Sequence, residues 1–218
     1  MPLLQSIQLL GIAGAASYAV GRIAVRSGIF LYYRYAIVAT PCAAMPAMPP
    51  GWQVRPLSAT ELADHVIDAP PSVQADRFAQ GMTCLGAFNP AGVLTGVTWL
   101  APAGMVEDDL HVRFTVPAEC CWDTGLWIAP RYRLGRAFVA LWAGTAAWMT
   151  ERGLSHSYSR IADYNLPSLL SHKRMGAITL AHYSFVKLGP WQFSSATRPR
   201  FIRYASDAAA ILTLKPLP

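Results

Sequence analysis

The residues Arg131-Tyr132-Arg133-Leu134-Gly135-Arg136 join a strand-like run ending in Ile128-Ala129-Pro130 to a long apolar stretch with helical spacing. The order strand, turn, helix leaves backbone N–H groups unpaired at the start of the helix, and the helix dipole makes that end positive. Such an end binds anions. Arginines there oppose the dipole, so Arg131, Arg133 and Arg136 make sense with an anion bound. The bland alternative is a solvated basic turn; the pattern favours a phosphate-bearing ligand.

Other residues with chemical potential lie on either side of this turn. Asp123 stands on the strand before it, with Glu119 and Glu107 further back. A strand carboxylate can take a proton or simply accept structural hydrogen bonds, and both readings stay open. Asn165 precedes Leu166-Pro167-Ser168 and is placed to cap a helix. The cysteines Cys42, Cys84, Cys120 and Cys121 include an adjacent pair but no Cys-x-x-Cys, and no histidine pair has metal-ligand spacing. They read as packing thiols of a reducing compartment, with neither a metal site nor a disulfide framework. Trp122, Trp127, Trp142 and Trp148 read as core.

The elements that must hold these residues follow from local patterns. Residues 52–57 alternate as a strand, and Ser58 or Thr60 caps a helix with Glu61 in its first turn. Residues 72–80 form a second short helix. Strands over 83–88 and 93–100 are joined by the hairpin signal Asn89-Pro90-Ala91-Gly92, and Glu107, Asp108 and Asp109 sit in a loop. Further strands run over 110–116 and 121–128. After the turn, Phe138, Leu141, Trp142, Thr145, Trp148 and Met149 give a long helix one apolar face, and Gly153 stops it. A strand over 156–161 leads to a helix with Pro167 in its first turn, Lys173 and Arg174 near its end and Gly176 as cap. Residues 177–188 form another strand. Beyond 189 the chain is proline-interrupted, with an Arg198, Arg200, Arg203 cluster.

At 218 residues the chain can build one sizeable core or a domain with an appendage. Charged residues are only 14%, against roughly 25% in soluble domains, and none occurs between Met1 and Val20. The excess of 18 Lys and Arg over 12 Asp and Glu suits an acidic ligand or an anionic surface. The basic residues are scattered, which argues against nucleic acid. The apolar run Leu3–Val20 approaches the ~20 residues of a membrane helix, and no basic residue precedes it as in a secretory signal. Arg22, Arg26 and Arg34 follow it, so the rest of the chain would lie on the cytoplasmic side. Gly28–Thr40, rich in tyrosine, fits a membrane interface. Membrane association, packing on the domain or a partner protein, and a processed segment are the three readings of this end. The proline-rich run 41–50 is the expected boundary: an N-terminal extension over 1–50, a domain over 51–190, and a C-terminal tail over 191–218 packed on it.

From residue 52 to about 188 this order resembles the GNAT superfamily of acyl-CoA N-acyltransferases. The resemblance is carried by Ile128-Ala129-Pro130-Arg131-Tyr132-Arg133 before the long helix, and by Asn165-Leu166-Pro167-Ser168 followed by Lys173-Arg174-Met175-Gly176-Ala177. It implies an α/β (α+β) fold with a mixed, mostly antiparallel central sheet flanked by helices, here with an apolar helical N-terminal extension. It implies acetyl-CoA or another acyl-CoA as donor and an amine as acceptor. By position, Leu126, Trp127 and Ile128 would offer backbone groups to the acyl-pantetheine. Arg133, Leu134, Gly135, Arg136, Ala137 and Phe138 would form the pyrophosphate loop, and Asn165 and Ser168 would flank the cofactor arm. His172 stands where the family often presents a tyrosine that protonates the departing thiolate, and Asp123 is the best-placed base. The loop departs from the family's Arg/Gln-x-x-Gly-x-Gly/Ala: its glycine is one place early and Phe138 replaces a small residue. The function implied is N-acyl transfer by direct attack of an amine on the thioester. The alternative is a degenerate domain serving as a structural or interaction subunit at a membrane or in a larger complex.

Overall fold

The computed structural model describes residues 3–133, 135–196, 201–204, 208–215 and 217. The chain begins with α1 (Leu3–Ser27), β1 (Leu31–Pro41), β2 (Gln53–Leu57), α2 (Ala59–Ala63) and α3 (Pro71–Ala79). It continues with β3 (Thr83–Phe88), β4 (Leu94–Ala101), β5 (Met105–Val106), β6 (Val112–Thr115), β7 (Cys120–Ile128) and α4 (Ala137–Thr150). Then come β8 (His156–Ala162), α5 (Leu166–Arg174), β9 (Ile178–Leu188), β10 (Trp191–Ser194), β11 (Phe201–Tyr204) and β12 (Ala210–Thr213).

Local chemistry fixes several ends. Ser58 caps α2 through a reciprocal box: its hydroxyl accepts from the Glu61 N–H, and the Glu61 carboxylate accepts from the Ser58 N–H. Asn89 Oδ1 accepts from the N–H groups of Ala91 and Val93 and tightens the β3–β4 hairpin. Pro71 and Pro167 sit in the first turns of α3 and α5, where a missing N–H removes no helical bond.

The main sheet has the order β11-β10-β9-β1-β8-β7-β4-β3-β2, and β7–β8 is the one parallel pairing among its described strands. A small sheet of order β12-β6-β5 covers part of one face. On that face Val97, Trp99, Trp122, Tyr158 and Phe185 bury against Leu62 of α2, Phe78 of α3 and Phe114 of β6. The opposite face, through Leu85, Ala87, Leu100, Cys121 and Ile128, packs on α4. The expected single apolar face of α4 is in fact nearly the whole helix: Ala140, Leu141, Trp142, Ala143, Thr145, Trp148 and Met149 are all buried. Cys84, Cys120 and Cys121 are buried free thiols within these layers.

The largest departure from the sequence reading is at the N-terminal end. Gly28–Thr40 is expected ahead of the domain, whereas residues 31–41 form β1, which lies inside the sheet between β8 and β9. Ile37 pairs with Arg160 on one side and Ala181 on the other. Tyrosine and β-branched residues suit a strand buried on both faces as well as a membrane interface, and burial of Tyr35, Ala36, Ile37, Val38 and Ala39 decides between them. The proline-rich run 41–50 therefore does not divide β1 from the sheet. The α1 helix breaks at Gly11, where φ is 70°, and packs on the Tyr32–Arg34 face of β1. Asp163 ties it down: Ser17 Oγ donates to Oδ1 at 2.9 Å, and Arg34 Nη1 pairs with Oδ2 at 2.8 Å. Its outer side shows Ile12, Val20, Ile23 and Val25. No helix among the described residues is long and apolar enough to cross a membrane. At the other end β10 and β11 extend the main sheet and β12 joins the small one. Arg198 and Arg200 lie outside the described residues, and Arg203 falls in β11.

Candidate functional site

The parallel ladder between β7 and β8 runs only from Cys120↔His156 to Asp123↔Ser159. Beyond it, β7 stays bound to β4 as far as Ile128↔Gly96, and β8 stays bound to β1 as far as Ala162↔Tyr35. The two strands are thus drawn apart by their other neighbours. The divergence starts at a bulge, where Gly125 and Leu126 stand against the single residue Thr98 and Gly125 takes φ 59°. The gap is a cavity of about 1260 Å³.

This cavity has two differently lined sides, because alternate side chains of β7 and β8 face opposite layers. From the layer of α4 and α5 it receives Arg133, Phe138, Trp142, Asn165, Ser168, His172 and Arg174. From the layer of α3 and the small sheet it receives Asp68, Arg77, Asp108 and Asp109, with Tyr35 and Arg160. The first side is basic; the second mixes aspartates with paired arginines.

Asp123 sits at the fork, 6% exposed. The hydroxyls of Ser157, at 2.5 Å, and of Ser159 both donate to its Oδ2. Burial raises the pKa of its carboxyl, while the charge of His172 and the two hydroxyl bonds pull the other way. His172 reaches the cavity from α5 and is 5% exposed. Its Nδ1 lies 2.8 Å from the Ser168 carbonyl, which can only accept, so Nδ1 carries the proton. The Nε2 atom has no hydrogen-bond partner among the described residues, and the ring meets Trp142 edge-on at 5.0 Å. In the neutral ring this nitrogen presents a bare lone pair. Glu119 does not line the cavity.

The remaining sequence-derived candidates divide. Leu126, Trp127 and Ile128 line the cavity on the free length of β7. Arg133 lines it too, with Nε donating to the Ile128 carbonyl at 3.2 Å. Gly135 and Phe138 are at its wall, the Phe138 ring 6.2 Å from Trp142. Asn165 caps α5 by accepting from the Ser168 N–H at 3.4 Å, and both residues face the cavity. Arg136, by contrast, is an exposed residue at the start of α4 that does not line the cavity. Ala137 is 0% exposed and packs with Ile128 and Leu141, so its side chain belongs to the core. Leu134 lies outside the described residues.

The α3-side lining was not legible in the sequence beyond the acidic run 107–109. Arg77 forms an ion pair with Asp108 and lies over Trp99, 5.4 Å from the ring centre. Arg160 pairs with Glu107 at 2.5 Å and covers the Tyr35 ring at 4.5 Å. Burial raises the Glu107 carboxyl pKa, and Arg160 opposes it. Among the described residues no three His, Cys, Asp or Glu side chains gather as metal ligands.

No family model matches the sequence, and no curated protein does. Solved structures are more informative. One similar structure is the GCN5-related glucosamine N-acetyltransferase region of a fungal multi-domain β-N-acetylglucosaminidase. It has a TM-score of 0.50 and 12% identity, over 76% of this chain and 22% of that one. A functionally unknown conserved protein from Staphylococcus epidermidis has a TM-score of 0.50 and 8% identity, over 75% of this chain and 65% of that one. A putative acetyltransferase from the GNAT family of Novosphingobium aromaticivorans aligns at a TM-score of 0.47 and 14% identity, over 71% and 63% of the two chains. The chain spans less than two thirds of the length of each. Its fold is that of the GNAT superfamily: a mixed, mostly antiparallel central sheet flanked by helices. At these identities the likeness concerns the fold.

Proposed function

We propose that this chain is an acyl-CoA-dependent N-acyltransferase, moving an acetyl or longer acyl group to an amine. The observation that carries the reading is the cavity at the β7–β8 fork, basic on the α4–α5 side and lined by aspartates on the other. Acyl-CoA would enter from the basic side. Its pyrophosphate would meet the turn over 133–138 and the first N–H groups of α4, and its pantetheine would run between Leu126–Ile128 and Asn165–Ser168. The amine would come from the α3 side and attack the thioester carbon. A carbon–nitrogen bond forms, the carbon–sulfur bond breaks, and one proton must pass from nitrogen to sulfur. Asp123, whose burial raises its pKa, is suited to take that proton. A water, or His172 once Nε2 has taken a proton from solvent, would protonate the thiolate, and Asp123 would return its proton to solvent as the products leave. Free N–H groups on the open edge of β7 would polarise the thioester carbonyl.

Calorimetric titration with acetyl-CoA and with a longer acyl-CoA tests the donor. Binding is expected, weakened about tenfold in Arg133→Ala, the loss of roughly one charge-assisted hydrogen bond. A titration silent with both donors overturns the reading. It would favour a non-catalytic domain acting as an interaction subunit, for which Phe138 at the wall and the engagement of Arg133 with Ile128 already speak. The outer side of α1 supports a location on the inner face of a membrane: Ile12, Val20, Ile23 and Val25 are exposed beside Arg22 and Arg26, and no acidic residue precedes Glu61.

A further inference from the structure

We propose that the acceptor amine carries a carboxylate, and that Arg77 binds it. The inference deepens the acyltransferase reading and rests on it.

Arg77 comes from α3 and is 5% exposed. Its Nε and Nη2 both donate to Asp108, and its guanidinium plane leans on Trp99. The third nitrogen, Nη1, has no hydrogen-bond partner among the described residues. It lies against Gly125, where a Cβ would come within 2.2 Å of it. Nη1 therefore stands at the bulge where β7 leaves β8, itself closed to solvent in this structure, while Arg77 and Gly125 as residues line the cavity beside it. Arginine does not shed its charge in proteins, so burial cannot be relieved by deprotonation. A buried donor of a charged group is costly to leave unmade, and a carboxylate oxygen is a strong acceptor for it.

The surrounding charges restrict what that oxygen can belong to. Asp108 neutralises Arg77, and Glu107 neutralises Arg160, whose guanidinium also covers Tyr35. Asp68 and Asp109 line the same side and form no ion pair among the described residues. A simple anion would meet net negative charge here. An ammonium that bears a carboxylate satisfies both demands, with nitrogen toward Asp68 or Asp109 and an oxygen on Nη1. An amine without that oxygen leaves Nη1 unpaired, and sites of this kind discriminate strongly against such analogues.

The test is thiol release from acetyl-CoA with three matched sets of acceptors. These are glycine, L-leucine and L-phenylalanine, their methyl esters, and methylamine, isoamylamine and phenethylamine. For the amino acid that fits the cavity, kcat/KM is expected to exceed that of its ester and its amine by about ten- to a hundredfold. Arg77→Lys, which keeps a charge toward Asp108 but lacks the fork, is expected to collapse that ratio. Equal turnover within every set by the unaltered protein overturns the inference and leaves acyl transfer standing. A loss in Arg77→Lys that is uniform across acceptors also overturns it. Thiol release with none of the compounds overturns the inference, and calorimetry with acetyl-CoA then shows whether the acyltransferase reading falls as well.

Discussion

Gly125→Ala probes the fork directly, and Gly153→Ala provides its control. Gly125 holds φ 59°, and a Cβ added there falls 2.2 Å from Arg77 Nη1, 3.0 Å from Arg77 Cζ and 3.1 Å from Trp99 Cδ1. Gly153, after α4, holds φ 65° with nothing within 4 Å of the same atom. Both alanines carry left-handed strain of about 1 kcal/mol. Only the first also collides with a buried side chain that is tied to Asp108. Removing one partner of a buried ion pair is worth about 3–5 kcal/mol, so displacing it in part is set at roughly 1–2 kcal/mol. The expected losses are therefore about 1 kcal/mol for Gly153→Ala and about 2–3 kcal/mol for Gly125→Ala. Urea denaturation reads both as midpoint shifts at unchanged slope. In an Arg77→Ala background the Gly125→Ala loss should shrink to about 1 kcal/mol, a coupling of about 1–2 kcal/mol in the double-mutant cycle. Equal losses for the two alanines, or a cycle without coupling, would refute the packing argument.

Asp123 binds a proton more tightly in the folded protein than in the unfolded chain, so its contribution to stability is lost as pH rises from about 4 through the raised value. Denaturation followed by circular dichroism should show Asp123→Asn flattening this decline, and parallel profiles for the two proteins would contradict it. Vesicles containing phosphatidylglycerol should co-sediment the protein at low salt, and Ile12→Glu with Ile23→Glu should release it; an unchanged distribution would end the membrane proposal.

Most elements between residues 52 and 188 were legible because their signals are local, whereas β5, β10, β11 and β12 carry no such signal. The Ser58–Glu61 box, the Asn89–Gly92 hairpin, Gly153 and the Asn165–Pro167 start each act within a few residues. Arg133, Asn165 and Ser168 were placed for the same reason, as they flank helix starts, whereas His172, in the last turn of α5, came from the family resemblance. What stayed hidden depends on long-range packing. Nothing near residues 31–41 announces that their neighbours are β8 and β9. Arg77 gains its meaning from Asp108 and Gly125, and Arg160 from Glu107 and Tyr35, partners distant in sequence. Ala137 opens α4 with its methyl in the core, a packing detail that the loop pattern over 133–138 does not carry.

The placement of β1 makes the order of synthesis matter. β1 leaves the ribosome well before its neighbours, with Arg160 and Ala181 beside Ile37, so its aromatic and aliphatic stripe waits uncovered until β8 and β9 are made. Joining segments so far apart is slow, and the wall bearing Tyr35 and Arg160 is completed late. A shortened protein that keeps the cleft must retain β1, since removing that strand takes the middle out of the sheet.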